Sequence, residues 1–212
     1  MKKIIALLMC LALVFSLAAC SDNNGGANVT PDADGASSKV ISRGTINGDV
    51  YTNDFIGITF TKPADWNYLS DAEIADVLNA GQKEMDLTST EKALNKIALI
   101  YDAAAKSADG TSVYIMYENP LLTFSREVTA DEYAEQINQG FIETERPTYT
   151  NISKENVTLG NADFIKLLYE VSLDGVQFTQ AYYVTVIDKY VVSVILSGLT
   201  AEDITAMEAM FS

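Results

Sequence analysis

The spacing of hydrophobic and polar residues changes several times between residues 49 and 212, and each spacing predicts an element. From Ile165 to Leu173 apolar residues occupy every second position, with Leu168 as an exception, and this period of two predicts a half-buried strand over 164–173. The runs 177–187 and 191–197 are apolar on both faces, as is typical of central strands covered on both sides. The other predicted strands are 49–53, 56–61, 98–105, 111–118 and 152–159.

Helix starts are marked by a Ser or Thr that an acidic residue follows three positions later, the spacing of a capping box. This pattern predicts helices after Ser70, Thr88, Thr129 and Thr200. Apolar residues at helical spacing follow each start: Ile74, Val77 and Leu78; Leu94 and Ile97; Tyr133, Ile137 and Phe141; Ile204, Met207 and Phe211. The short links Asp174-Gly175 and Asp188-Lys189 predict antiparallel hairpins.

The first twenty residues have the pattern of an export signal. Two lysines precede the apolar run 4–17, and Leu17-Ala18-Ala19-Cys20 closes it. The run is slightly short for a transmembrane helix, which needs about 20 apolar residues. The closing tetrapeptide resembles the bacterial lipobox, and the resemblance implies lipid attachment to Cys20 and cleavage by the signal peptidase between Ala19 and Cys20. We therefore expect a signal peptide over 1–19 and a lipid anchor on the extracytoplasmic face of a bacterial cell membrane.

Residues 20–48 differ from the rest of the chain in composition. They are rich in Gly, Asn, Ser, Asp and Ala and contain few large apolar side chains. Such a segment buries too little surface to offset the entropy of ordering it. We therefore predict a flexible linker from the lipidated Cys20 to residue 48, followed by one globular domain over 49–212.

Charge and residue usage exclude several functions. Removal of 1–19 leaves 12 basic and 29 acidic residues, a formal charge of −17, which disfavours binding to nucleic acid. The sequence has no histidine, and of its two cysteines Cys10 lies in the signal and Cys20 carries the predicted lipid. Catalysis by Ser-His-Asp or Cys-His sets and zinc sites with His ligands are thereby excluded. We expect no cofactor and no metal site.

Several short motifs lie at core and turn positions of the predicted domain: Tyr51-Thr52-Asn53, Gly57-Ile58-Thr59-Phe60, Pro63, Trp66, Gly160-Asn161-Ala162, Leu168-Tyr169, Gly175, Gln180-Ala181-Tyr182-Tyr183 and Tyr190. These motifs and the order of elements resemble the PsbP family, which includes an extrinsic subunit of photosystem II, and the yeast Ran-binding Mog protein. The resemblance covers about 49–212. It implies an α+β fold, an antiparallel β-sheet with helices packed on both faces in three layers, and members that mostly act as binding or assembly modules. Contacts that depend on histidine in some relatives cannot be transferred to this chain.

Two groups of side chains invite a chemical interpretation, and for both we favour a structural one. Acidic residues cluster at two helix starts, where capping and the helix dipole favour them more than acid–base or calcium chemistry does: Asp71, Glu73 and Asp76; Asp131, Glu132 and Glu135. Aromatic residues on strands could line a groove for sugars or peptides, but core packing is the commoner role: Tyr114, Tyr117, Phe178, Tyr182, Tyr183 and Tyr190. We predict no catalytic residue, and the ligand-binding residues stay open.

The sequence therefore favours a membrane-anchored, non-catalytic binding or assembly module. Its expected partners are the membrane, through the lipid, and a protein, peptide or glycan of unknown identity, but not nucleic acid. One alternative is a hydrolase or lyase that uses carboxylates and tyrosines, which requires a deep pocket with two converging acidic side chains. Another is a small-solute receptor, although a single domain lacks the two lobes that usually close around a solute.

Overall fold

The computed structural model of the chain describes residues 41–84, 98–144 and 147–212. The predicted lipidation site at Cys20, the cleavage site between Ala19 and Cys20 and the helix predicted after Thr88 lie outside these residues. The strands alternate with four described helices: α1 (Asp71–Glu84), α2 (Pro120–Phe124), α3 (Ala130–Ile142) and α4 (Ala201–Glu208). None of the described helices has the length and apolar character needed to span a bilayer.

The larger sheet has seven strands, and every pair of neighbours is antiparallel. Its strands are β4 (Asn67–Tyr68), β5 (Leu99–Lys106), β6 (Ser112–Glu118), β7 (Thr148–Leu159), β8 (Ala162–Leu173), β9 (Val176–Ile187) and β10 (Tyr190–Gly198). In space the order is β4-β5-β6-β10-β9-β8-β7. Strands β9 and β10 are central and largely buried on both faces, as their apolar sequences predict.

A second sheet consists of three short antiparallel strands, β1 (Thr45–Asn47), β2 (Val50–Asn53) and β3 (Ile58–Thr61). The backbone of Ser212 exchanges hydrogen bonds of 2.7 and 2.9 Å with that of Thr59, which ties the last described residue to β3. Strand β1 lies within the predicted linker 20–48. The linker prediction therefore extends too far at its end, because Thr45–Asn47 pairs with β2.

Three of the predicted capping boxes are complete in the structure, at Ser70 before α1, at Thr129 before α3 and at Thr200 before α4. Helix α2 follows the predicted strand 111–118 directly, and none of the four predicted helix starts marks it. In the structure the side chain of Asn119 caps α2 and Pro120 occupies its first turn, where a missing N–H costs nothing.

Hydrophobic side chains form one cluster on each face of the larger sheet. On the first face, α1 and α3 cover strand residues such as Tyr114, Leu167 and Tyr182. On the second face, the three-stranded sheet, Trp66 and α4 cover the alternate positions, including Ile115 and Tyr183. The period of two along the strands places the two clusters on opposite sides.

The predicted antiparallel sheet with associated helices is confirmed, but the three-layer α/β/α arrangement is not. Among the described residues, the second face is covered by a three-stranded sheet together with the eight-residue helix α4. This covering reaches Val157 and Leu159 of β7, but it leaves the first half of β7 and the adjoining ends of β8 and β9 open as a groove.

Candidate functional site

The acidic residues at the two helix starts have structural roles. Glu73 accepts a hydrogen bond from the backbone N–H of Ser70 at 2.7 Å, and Glu132 accepts one from that of Thr129 at 2.9 Å. These backbone hydrogen bonds are the main cause of the lowered pKa of both carboxyl groups. No group of three or more acidic side chains suited to a metal ion occurs in 41–84, 98–144 and 147–212. The capping interpretation is therefore confirmed for Glu73 and Glu132.

The other acidic residues of these two clusters lie on the surface. Asp71 lies 3.9 Å from the Arg43 guanidinium, and Asp131 lies 3.1 Å from the Lys154 ammonium. Asp76 and Glu135 are exposed. Neither cluster has side chains that converge on a common point.

Most of the strand aromatics are core residues. Five of them are buried and one, Tyr190, is half-buried beside the second cluster: Tyr114, Tyr117, Phe178, Tyr182, Tyr183 and Tyr190. Burial raises the pKa of Tyr114 to about 12. The core-packing interpretation is confirmed for the five buried residues.

Three carboxylates inside or at the edge of the fold accept a hydrogen bond from a tyrosine hydroxyl. Tyr51 donates to Asp102, Tyr133 donates to Glu118, and Tyr183 donates to Glu208. Burial, followed by the neighbouring carboxylate, raises the pKa of Tyr51 and of Tyr133. These hydroxyls therefore stay protonated as donors and cannot serve as general bases at neutral pH.

The Asp102 carboxylate lies at the centre of the densest of these groups. Asp102 is the extra residue of a β-bulge in β5, since Tyr101 and Ala103 pair with consecutive residues of β6. Its oxygens accept from the backbone N–H of Gly44 at 3.0 and 3.1 Å and from Asn53 Nδ2 at 2.8 Å. They also accept from the hydroxyls of Tyr51 and Tyr117. Four groups thus converge on one carboxylate, which joins β2, β5, β6 and residues 42–44.

Residues 42–44, which we call the strap, close this polar cluster. The backbone carbonyl of Ser42 accepts from Asn53 Nδ2 at 3.3 Å and from the Tyr117 hydroxyl at 3.4 Å. The Arg43 guanidinium donates to the carbonyl of Tyr101 at 3.1 Å. A Cβ at Gly44 would lie 2.2 Å from the Tyr51 ring, so only glycine allows this approach. The cluster therefore attaches the strap to both sheets.

The three tyrosine–carboxylate pairs do not form a hydrolytic site. A carboxylate-dependent hydrolase requires two carboxylates that face each other across the substrate. Asp102 is surrounded by neutral donors, and Glu118 is buried beside Tyr133 in the first cluster's layer. Glu208 and Glu155 do approach one cation, since Lys166 Nζ lies 2.6 Å from Glu208 and 3.7 Å from Glu155. That ion pair attaches α4 to the sheet and occupies both carboxylates.

An open groove lies where the second face of the larger sheet is uncovered. Two rows of polar side chains cross β7, β8 and β9 there, as the register of the strands shows. One row is Thr148, Ser172 and Gln177, and the other is Thr150, Glu170 and Thr179. The groove has a volume of about 320 Å³, which is within the usual size of a ligand site. We call it the β7–β9 groove.

The walls of the β7–β9 groove are aliphatic and follow from local features of the chain. Ile152 is the extra residue of a bulge in β7, between Asn151 and Ser153, and is 49% exposed. Leu199, also 49% exposed, connects β10 to α4 on the other side. A Cβ on Gly198 would lie 2.5 Å from Cβ of Asp203, so glycine at this position lets the first turn of α4 return against the sheet.

The six polar side chains of the two rows make no hydrogen bond or ion pair with other described side chains. The buried Gln180 of β9, by contrast, donates to Ser197 at 2.8 Å. A second depression, near Asn156 and Thr185, is less suitable because Thr158 already donates to Asp163 at 3.0 Å within it. The β7–β9 groove therefore offers unpaired hydrogen-bonding groups, and we consider it the candidate binding site.

Sequence reasoning missed both the Asp102 cluster and the groove. Asp102 lies 49 to 58 residues from its partners in β2 and the strap, so no local pattern could reveal it. The groove depends on strand register, because alternate Thr, Ser and Gln residues read as an ordinary solvent face until three strands are aligned. The polar positions of β7 were the one signal available.

Comparisons with known proteins add little to this geometry. No protein-family model matches the chain, and no curated protein matches it. The chain is similar to the solution structure of cyanobacterial PsbP (CyanoP) from Synechocystis sp. PCC 6803, with 11% sequence identity and a TM-score of 0.42. The similarity covers 84% of this chain and 97% of that one. These values are too low for a function to be transferred.

Proposed function

We propose that this chain is a bacterial lipoprotein, held on the extracytoplasmic face of the cell membrane by a lipid on Cys20. Its folded domain is a non-catalytic binding or assembly module, and the β7–β9 groove is its ligand site. The observation that carries the proposal is the set of six polar side chains in the groove that have no partner among the described side chains. A surface with this many free donors and acceptors between aliphatic walls suits recognition.

The position of the groove agrees with a tethered module. The strap joins the domain at β5, near one edge of the larger sheet, whereas the groove lies on β7, β8 and β9 at the other edge. Five strand spacings separate β5 from β7, a distance of about 24 Å. The strap, where a linker from Cys20 would reach the domain, thus lies far from the groove on the larger sheet.

The hydrolase alternative has less support. Among the described residues, Asp102, Glu118 and Glu208 bond to tyrosines or to Lys166, and Asp203 caps α4. The groove has Glu170 as its single carboxylate. An enzyme of this class needs a second acidic group opposite the first. The small-solute receptor stays an alternative. A comparison of peptide binding with lysine amide binding distinguishes it from a module that binds proteins.

The anchor is tested by Cys20→Ser. We expect this variant to appear as an uncleaved precursor or in the soluble fraction, whereas the parent chain stays with the membrane and has the mass of a lipidated product. Membrane fractionation and intact-mass measurement provide the readout. Unchanged fractionation and mass in the variant would show that Cys20 carries no lipid.

The binding function is tested in cells with a photo-crosslinking amino acid in place of Thr150. The same amino acid in place of Glu135, on the exposed surface of α3, is the matched control. We expect a defined crosslinked product from position 150 alone, which mass spectrometry can assign to a ligand. Turnover of a substrate that a single carboxylate substitution abolishes would refute the non-catalytic part of the proposal.

A further inference from the structure

The β7–β9 groove has one charge, and it lies in the middle of the floor. Register pairs Glu170 with Thr150 on one side and Thr179 on the other, and Ser172 is the next residue of β8 on the same face. The exposed Glu170 carboxylate has no ion pair with a described residue. The Glu170 carboxylate and the neighbouring hydroxyl oxygens can therefore all accept hydrogen bonds from a single bound group. This arrangement suits an ammonium or a guanidinium, which donate three and five hydrogen bonds.

The charges around the groove favour a cation as well. Glu202 and Asp203 lie in the first turn of α4, beside the Thr200 end of the groove, and Asp203 completes the capping box there. The positive end of that helix is therefore already compensated. The whole sequence has 29 acidic and 14 basic residues, so the long-range field also attracts cations.

The shape and walls of the groove indicate a peptide rather than a glycan or a free amine. Its lining includes one aromatic residue, Phe178, which is 3% exposed and packs in the first cluster below the floor. A sugar ring would find no exposed aromatic face there. Ile152 and Leu199 instead offer aliphatic contacts on two sides of Glu170, as an extended segment with alternating side chains would use.

We propose that the β7–β9 groove binds an extended segment of a partner protein, with a lysine or arginine side chain on Glu170 and aliphatic neighbours against Ile152 and Leu199. This inference rests on the proposed binding function and specifies the chemistry of its partner. The bound cation would gain a charge-assisted hydrogen bond to Glu170 and further bonds to the hydroxyls of Thr150, Thr179 and Ser172.

The test measures fluorescence anisotropy of a labelled, capped peptide, Val-Thr-Lys-Thr-Val, titrated with the full chain in a nonionic detergent. The parallel probes are the same peptide with Glu in place of Lys, lysine amide as a competitor, and a neutral oligosaccharide as a competitor. Glu170→Gln removes the central charge from an exposed position. Glu135→Gln is the matched control, since it changes the net charge equally outside the groove.

We expect the lysine peptide to bind and the glutamate peptide not to bind. Glu170→Gln should weaken binding by about twofold to fivefold, as the loss of a solvent-accessible charge pair allows, and high salt should weaken it similarly. Glu135→Gln should leave affinity unchanged. Equal weakening by both variants would overturn the inference, because it would show attraction by net charge alone.

Other outcomes separate this inference from the proposed function. If lysine amide competes as strongly as the peptide, the inference that the groove binds a peptide segment is refuted, and a small-solute receptor is indicated. Oligosaccharide binding that depends on Thr150 but not on Glu170 would also refute it, while the groove would remain the ligand site. Absence of binding by the lysine peptide at millimolar concentration refutes the inference, and absence of crosslinks from position 150 refutes the proposed site itself.

Discussion

Replacement of Asp102 by Asn should show how strongly one polar cluster holds the strap and the two sheets together. The substitution keeps the size of the side chain but removes its charge and one acceptor oxygen. With its remaining oxygen toward Tyr51 and Asn53, the amide would direct an N–H group at the N–H of Gly44, which now lies 3.0 and 3.1 Å from the two oxygens. Gly44 therefore loses its 3.1 Å bond to Oδ1 and keeps only the 3.0 Å bond to Oδ2, and all the remaining bonds become neutral.

The magnitude follows from the number of bonds. Hydrogen bonds to charged groups contribute roughly 1.5–3 kcal/mol each and neutral ones roughly 0.5–1.5 kcal/mol, a difference of about 1 kcal/mol per bond. Asp102 accepts from four groups and is half-buried, so some of this difference is screened. We expect Asp102→Asn to lower the free energy of unfolding by about 2–4 kcal/mol.

Urea denaturation of the full chain measures this change through the fluorescence of Trp66, the one tryptophan of the sequence, which is buried in the second cluster. Asp163→Asn is the control, since Asp163 is exposed and accepts one side-chain bond, from Thr158. It should cost less than about 0.5 kcal/mol, like most surface changes. Hydrogen exchange should also show that Asp102→Asn deprotects the amide of Gly44.

A double-mutant cycle with Tyr51→Phe tests whether the cluster acts as a unit. The two substitutions should be coupled by about 1–2 kcal/mol, because Tyr51 donates directly to Asp102. A loss in Asp102→Asn no larger than in Asp163→Asn would refute the reasoning, as would strict additivity with Tyr51→Phe.

Two further predictions concern a buried carboxyl group and a turn. Burial raises the pKa of Glu118, so the stability that its neutral form contributes is complete below the ordinary pKa of 4.5 and is lost as pH rises through the raised value. Glu118→Gln should therefore be more stable than the parent chain at pH 8, by about 1.4 kcal/mol per unit of pKa elevation, with no such difference near pH 4. Urea denaturation at both pH values measures this, and the same difference in unfolding free energy at pH 4 and pH 8 would contradict it. Lys189 has a φ of 73°, which strains a residue with a side chain, so Lys189→Gly should raise the thermal midpoint by the equivalent of about 0.5 kcal/mol. The reverse change at the other hairpin, Gly175→Lys at a φ of 84°, should lower the midpoint by the equivalent of about 1 kcal/mol. A lower midpoint in Lys189→Gly would show that its exposed ion pair with Glu127, at 3.2 Å, outweighs the backbone strain.

Local chemistry made much of the fold predictable. The alternation in β8, the capping boxes at Thr129 and Thr200 and the turns at Asp174 and Asp188 each depend on residues a few positions apart, and the structure has each element there. Helix α2 was predictable in principle, since an Asn followed by Pro is also a common helix start.

The features that define the candidate site depend on long-range register instead. Asp102 and Ile152 look ordinary in sequence, and each becomes distinctive because a bulge adds one residue to its strand. Whether a bulge forms depends on how neighbouring strands align, so nearby residues do not determine it. Strand β1 was missed for a similar reason, because its Thr and Asn residues are stabilised by pairing with β2 and by the strap contacts of Gly44 with Asp102.

The central position of β10 has a consequence for the order in which the chain can fold. Strands β7 to β10 are consecutive hairpins, whereas β10 also pairs with β6, as Val191 with Glu118 and Ser197 with Ser112, across more than 70 residues. Closing such a long loop is slower than forming a hairpin. During synthesis β5 and β6 emerge first and keep an exposed strand edge until residues 190–198 are available. A chain that stops before β10 would therefore expose the edges of β6 and β9 in addition to those of β4 and β7, and would be prone to aggregate.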